Sequence, residues 1–306
     1  MRTISNDHYT LEKKIGEGSF ASVYLGKESS TLTTVAIKVI NKEHFNESQL
    51  ERVHREVALI KELDHPFIVS FYEITEDEKN IYIVMENLEH GNILDFVNNR
   101  GELSENEARH YFCQLISAID YLHNEKHIVH RDLKAENVML DRYNNIRLID
   151  FGLSNLFSLD NPYLTTACGS PAYACPEMIK GEHYSAASDI WSAGILLFAM
   201  CDCELPFQDD NAQRLLQKII YTEPKYPSTW SPQLRDLLIR MLNKNPHNRI
   251  TIDQIKSHPW VAQTPLSYIL DPTFGIDEFW RLSEVPLGEG LIDDQISQKM
   301  RNFTWF

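Results

Sequence analysis

His130-Arg131-Asp132-Leu133-Lys134-Ala135-Glu136-Asn137 holds a carboxylate, an ammonium and an amide within the six positions from Asp132 to Asn137. Thirteen residues beyond Asn137 stands Asp150-Phe151-Gly152. Upstream lies Val35-Ala36-Ile37-Lys38, and before it the loop Gly16-Glu17-Gly18-Ser19-Phe20-Ala21-Ser22-Val23. Moving a γ-phosphoryl group from ATP to a hydroxyl is mostly positioning and charge neutralisation. It asks for a proton acceptor, metal-binding oxygens, a cation on the phosphates and a backbone cradle. Each of the four segments alone is a weak sign of that chemistry. Their occurrence together and in this order is a strong one.

On these motifs the chain resembles a eukaryotic protein kinase, from about Tyr9 to Trp260. Leu164-Thr165-Thr166-Ala167-Cys168-Gly169-Ser170-Pro171-Ala172-Tyr173 and the stretch Asp150 to Asn155 are similar to the calmodulin-dependent kinase group, near its AMP-activated branch. The resemblance implies an α+β fold of two lobes. A small five-stranded antiparallel sheet with one helix covers about residues 9–86. A linker follows at about 86–91, and a larger, mainly helical lobe runs over about 92–260. Residues 261–306 form a C-terminal extension, read either as a regulatory segment or as a tail packed on the large lobe.

The same resemblance assigns roles residue by residue. Ile15, Gly16, Glu17, Gly18, Ser19, Phe20, Ala21, Ser22 and Val23 form the loop over the ATP phosphates. Glycine there lets backbone amides approach closely, and Ala21 stands where the family has a third glycine. Val23 and Ala36 cover the adenine, Met139 supports it from below, and Met85 guards the back pocket. The Glu86 carbonyl and Leu88 amide bind the adenine edge. Lys38 contacts the phosphates and pairs with Glu56. Asp132 accepts the proton of the substrate hydroxyl, and Lys134 neutralises the γ-phosphate, a lysine typical of serine/threonine kinases. Asn137 and Asp150 hold Mg²⁺, a hard ion that prefers oxygen ligands. Thr166 is the matching phosphorylation site, installed by an upstream kinase and met by Arg131 and Arg52, the latter four residues before Glu56 on one helix face. Ser170 hydrogen bonds Asp132 and Lys134. Glu136 and Asp95 favour basic residues near the target Ser/Thr of protein substrates, whereas Asn92 departs from an acidic position. Glu177 and Arg249 match a buried ion pair. Ile60, Phe71, His130 and Phe151 match a stack joining the lobes, anchored by Asp189.

Composition sets outer bounds. The 306 residues are 43% hydrophobic and 24% charged, ordinary for a globular protein. A net charge of −15 argues against a nucleic-acid partner. Five cysteines, an odd number, and an N-terminus without a targeting pattern are read as free thiols in a reducing, cytoplasmic setting, with nuclear access open. The apolar run Ser192 to Cys201 is too short to span a bilayer and reads as a buried helix. Two rivals remain at this stage: a scaffold that keeps the fold without the chemistry, and a small-molecule phosphotransferase. The first would be expected to lose Lys38, Asp132, Asn137 or Asp150, and all four are present.

Local patterns predict the elements. Residues 9–41 read as three strands, and Ile68–Ile74 and Asn80–Glu86 as two more. Val53, Val57, Ile60 and Leu63 mark a helix from Glu47. Ser104-x-x-Glu107 and Thr251-x-x-Gln254 are capping boxes, and Ser231-Pro232 opens another helix.

Overall fold

A computed structural model describes residues 2–4, 8–18, 21–150, 171–182 and 184–263. Six antiparallel strands form the small lobe: β1 (Arg2–Ile4), β2 (Tyr9–Glu17), β3 (Ala21–Glu28), β4 (Thr34–Asn41), β5 (Phe71–Glu76) and β6 (Asn80–Glu86), in the order β1-β2-β3-β4-β6-β5. Four lie where the sequence places them, and a fifth, β5, is shifted along the chain. The sixth, β1, is a three-residue edge strand on β2, with Ile4 opposite Tyr9. β5 starts at Phe71, three residues later than expected. Phe67, Ile68 and Val69 are apolar for another reason. All three are buried against the large lobe, and Ile68 bridges Leu148.

Between β4 and β5 runs α1 (Glu47–Lys61). Asn46 caps it in a full capping box with Gln49, and Val53, Val57 and Ile60 form its buried stripe. The connection after α1 is tied to the large lobe. Asp64 N donates to Tyr121 Oη at 3.0 Å, and His65 stacks on the Tyr121 ring.

The large lobe comprises α2 (Ile93–Arg100), α3 (Glu105–Asp120), the hairpin β7 (Val138–Leu140) and β8 (Ile146–Leu148), then α4 (Pro176–Ile179), α5 (Ala186–Asp202), α6 (Ala212–Tyr221), α7 (Pro232–Met241) and α8 (Ile252–Lys256). Both predicted capping boxes form, and Ser231 caps α7 ahead of Pro232. The expected buried helix is α5, with Trp191, Ile195 and Leu197 fully enclosed. α3 is covered on all sides rather than along one stripe, and its polar Arg109, His110 and Gln114 are buried too. It ends in a π-helical turn, Tyr121–Glu125, that aims His123 inward. Among the described residues no helix is long and apolar enough to cross a membrane. Cys113, Cys175, Cys201 and Cys203 are free thiols.

Candidate active site

Hydrogen bonds to one buried carboxylate shape the segment His130–Asn137. Asp189 accepts from His130 N at 2.8 Å, Arg131 N at 3.0 Å, Tyr184 Oη at 2.8 Å and His123 Nε2 at 2.7 Å. Burial pushes the Asp189 pKa up, but the His123 bond, the nearby His130 and the backbone donors outweigh it and leave the acid stronger than usual. This anchor holds Arg131 at φ 69, a left-handed conformation that a side-chain-bearing residue adopts only at a cost. His130 adds a bond from the other flank, its Nε2 to Ile149 O at 3.0 Å.

The chain turned this way brings three predicted side chains together. Lys134 Nζ donates to Asp132 Oδ2 at 2.8 Å. Asn137 Nδ2 donates to Asp132 O at 2.7 Å and to Asp132 Oδ2 at 3.1 Å. Ile149 N donates to Asn137 O at 2.9 Å, setting Asp150 beside this turn. Asp150 also has a left-handed backbone, φ 59. Its pKa is raised by burial but lowered further by Lys38, with His130 and Lys134 adding, so it stays a carboxylate.

The sheet brings the other predicted residues into line. Val23 pairs with Lys38 across β3 and β4, and Ala36 pairs with Met85 across β4 and β6. Met139, on β7, faces Arg147 across the hairpin and bridges Asn92. Leu88 packs on the core just past β6. Ile15 is half-exposed on β2, Ser22 lies opposite Glu17, and Glu17 is exposed in an ion pair with Lys14 at 2.6 Å.

The glycines differ in what demands them. A Cβ on Gly26 would meet Ile37 Cδ1 at 2.5 Å and Thr10 O at 2.6 Å, so packing alone requires glycine there. A Cβ on Gly16 or Gly18 would meet its nearest atoms, on Val23 and Ala21, only at 3.5 Å. Nothing among the described residues forbids a side chain at these two, which fits a cradle kept bare for an outside group. Ser19, Phe20, Thr166 and Ser170, like Phe151, lie outside the described residues.

One expected pairing is not formed. Lys38 Nζ sits 2.5 Å from Asp150 Oδ1, not on Glu56. Glu56 is half-buried on α1 and makes no ion pair among the described residues, and Arg52, one turn earlier, is exposed. Asp150 competes for the same cation, and here it holds it. Glu136 and Asp95, the acids expected to meet substrate, are both exposed. Asn92, the departure, caps α2: its Oδ1 accepts from Asp95 N at 2.9 Å, and its Nδ2 donates to Asp95 Oδ2 at 2.7 Å.

The lobe is braced behind the site. Arg249 Nη1 and Nη2 reach Glu177 Oε1 and Oε2 at 2.7 and 2.9 Å, both groups fully buried, and Arg249 also donates to Ala187 O and Asn243 O. His123 and Tyr184 are site-supporting residues the sequence reading did not single out. A histidine aimed inward from a π-turn leaves no periodic signal.

The oxygen donors suit a hard divalent cation. Asn137 spends its amide nitrogen on Asp132, which leaves its carbonyl oxygen, and Asp150 offers the second carboxylate oxygen.

The family model described as "Protein kinase domain" matches residues 9–261. Curated relatives include the SNF1-related protein kinase catalytic subunit alpha KIN12 of Arabidopsis thaliana, 42% identical over 90% of this chain and 56% of its own length. Serine/threonine-protein kinase SIK1 of Rattus norvegicus is 42% identical over 89% of this chain and 35% of its length. Serine/threonine-protein kinase SIK2 of Gallus gallus is 42% identical over 84% and 32%. The chain thus spans between a third and somewhat over half of the relatives it matches. With 253 of its residues inside the family model and relatives from plant and animal alike, this chain belongs to the protein kinase family.

Proposed function

We propose that the chain is a serine/threonine protein kinase that transfers the γ-phosphoryl group of Mg-ATP to serine or threonine hydroxyls of proteins. The observation that carries this reading is the triangle of Asp132, Lys134 and Asn137, built on the anchored turn beside Asp150. Asp132 accepts the hydroxyl proton as the substrate oxygen bonds to the γ-phosphorus and the bond to the ADP oxygen breaks. Lys134 bridges the carboxylate and the incoming phosphoryl oxygens. Lys38, paired with Asp150, would contact the phosphates. Asn137 and Asp150 would hold Mg²⁺, which neutralises phosphate charge when bound. The kinase domain is taken as residues 9–260, with 261–306 as an extension.

Phosphate on Thr166, placed by an upstream kinase, would draw in Arg131 and Arg52. Because Arg52 shares α1 with Glu56, this would favour moving Lys38 from Asp150 alone to a shared position with Glu56. Exposed Glu136 and Asp95 favour substrates with basic residues near the target. Incubation with labelled ATP, Mg²⁺ and a generic basic protein, followed by phosphoamino-acid analysis, tests the reading. Label on serine and threonine is expected. No transfer with normal nucleotide binding would instead support a scaffold.

A further inference from the structure

Arg147 lies on β8 between the fully buried Ile146 and Leu148, and its own side chain is mostly enclosed. Its Nη2 is 3.2 Å from Asp141 Oδ2 and its Nε is 3.5 Å from Glu86 Oε2. Asp141 is rigidly placed. Its Oδ1 accepts from Tyr143 N at 2.8 Å and Asn145 N at 2.9 Å, and Asn145 Oδ1 accepts from Gln114 of α3 at 2.7 Å. Gln114 closes the circuit by accepting from Ile146 N at 3.0 Å. One end of Arg147 is therefore fastened to the large lobe. The other end faces Glu86, the last residue of β6 and the start of the linker, whose N donates to Ser70 O at 2.9 Å.

The remaining groups facing Arg147 are uncharged at neutral pH. His65, from the connection after α1, has its pKa drawn down to about 4, first by burial and then by Arg147 itself. Tyr72, on β5, has its pKa raised by burial and by Glu86. Glu86 and Asp141 are the carboxylates paired with Arg147 among the described residues.

Both contacts of Arg147 are ion pairs, and neither completes a hydrogen bond: Asp141 Oδ2, like Arg147 Nε, is buried without a bonded partner among the described residues. On the linker side Arg147 Nε stands 3.5 Å from Glu86 Oε2, an ion-pair distance rather than a bonded one, and that oxygen also accepts from Ser70 N at 3.4 Å. A shift of the linker by a few tenths of an ångström would supply that bond. The linker backbone at Glu86 is also where the adenine edge would dock, so a ligand that seats the linker and the bond that Arg147 lacks favour the same position. Two events that favour one state reinforce each other. We propose that Arg147 is a positioning residue: it clamps the linker through Glu86 to the β7–β8 hairpin and so raises the affinity for the adenine nucleotide. This rests on the adenine reading of the linker given above.

The test is the dissociation constant of Mg-ADP by titration calorimetry, with KM for ATP and kcat, for the full chain and for Arg147→Met, Arg147→Lys, Glu86→Gln and the double variant Arg147→Met/Glu86→Gln. Arg147→Met should raise both Kd and KM by about five-fold, with kcat within about two-fold. Arg147→Lys should recover part of the affinity, since an ammonium carries the charge without the fork that serves two carboxylates. In the Glu86→Gln background the loss from Arg147→Met should vanish. Should Arg147→Met fail to fold, Arg147→Lys alone and combined with Glu86→Gln reads the same coupling. Lower thermal stability with unchanged Kd and KM, or strictly additive effects of the two substitutions, would overturn the clamp while leaving the adenine reading intact. A wild-type chain that binds no Mg-ADP would overturn the adenine reading, and the clamp with it.

Discussion

Glu177→Ala strands a fully buried cation. Arg249 has no exposed side-chain surface, and its two bonds to Glu177 at 2.7 and 2.9 Å are charge-assisted. After the substitution it keeps, among the described residues, the carbonyls of Ala187 and Asn243 and the face of the Trp191 ring, and Ser188 Oγ loses its acceptor. Breaking a buried pair from one side costs about 3–5 kcal/mol, because the remaining charge stays desolvated. In a domain of this size each kcal/mol lowers Tm by about 2–4 °C, so a fall of about 6–20 °C is expected. The assay is urea unfolding of wild type, Glu177→Ala, Arg249→Met and the double variant. The double variant leaves no unpaired charge at this site and should be more stable than the sum of the single losses by about 2 kcal/mol or more. Acid supplies a second axis. Burial raises the Glu177 pKa, but Arg249 more than reverses this, so the folded pKa lies below the unfolded one. The stabilisation is then in force above the usual glutamate pKa and fades as pH falls through the folded value. Wild type should lose this increment on acidification, and Glu177→Ala should not. A cost below about 1 kcal/mol for Glu177→Ala, or additive single losses, would refute the reasoning.

Lys38→Met should cut kcat/KM for ATP by about a hundred-fold or more, by removing the cation from the phosphates. Unchanged kcat/KM would sink the role given to Lys38. Protein phosphorylated on Thr166 should be more active than dephosphorylated protein, and Arg52→Ala should erase much of the difference. Equal activation of both proteins would leave Arg131 as the sole phosphate partner. Asn92→Glu should widen the preference for arginine over alanine upstream of the target residue, read as kcat/KM on a matched peptide pair, with salt narrowing it again. The same change removes the cap of α2 and should cost about 1 kcal/mol. A wild type that already selects arginine strongly would show that Glu136, Asp95 or Glu89 compensates for the neutral Asn92.

Much of the architecture is legible in local patterns because local physics decides it. Ser104, Ser231 and Thr251 each cap a helix where a short polar side chain precedes an apolar stripe. β2 to β4 and β6 follow from β-branched alternation. β1 does not, since three residues at an edge carry no period. The early start expected for β5 misreads Ile68 and Val69, whose apolar character serves the contact between lobes instead of the ladder. The site divides the same way. Asp132, Lys134 and Asn137 are close in sequence, so one turn brings them together. The partner of Lys38 is a tertiary choice between Glu56 and Asp150, 112 residues away from the lysine in the second case, and spacing does not rank them. Arg147 on a short strand and His123 on a π-turn look like ordinary surface-prone residues until the fold surrounds them.

The central claim is that Asp132 is the proton acceptor of phosphoryl transfer on this chain. Its most direct measurement is a single-turnover transfer from labelled ATP to a serine peptide by Asp132→Asn, with Mg-ADP affinity determined on the same sample. The substitution keeps the shape that Lys134 and Asn137 hold but removes the charge and the basic site. Transfer should slow by about a hundred-fold or more while nucleotide affinity stays near that of wild type. Transfer at close to the wild-type rate would contradict the account.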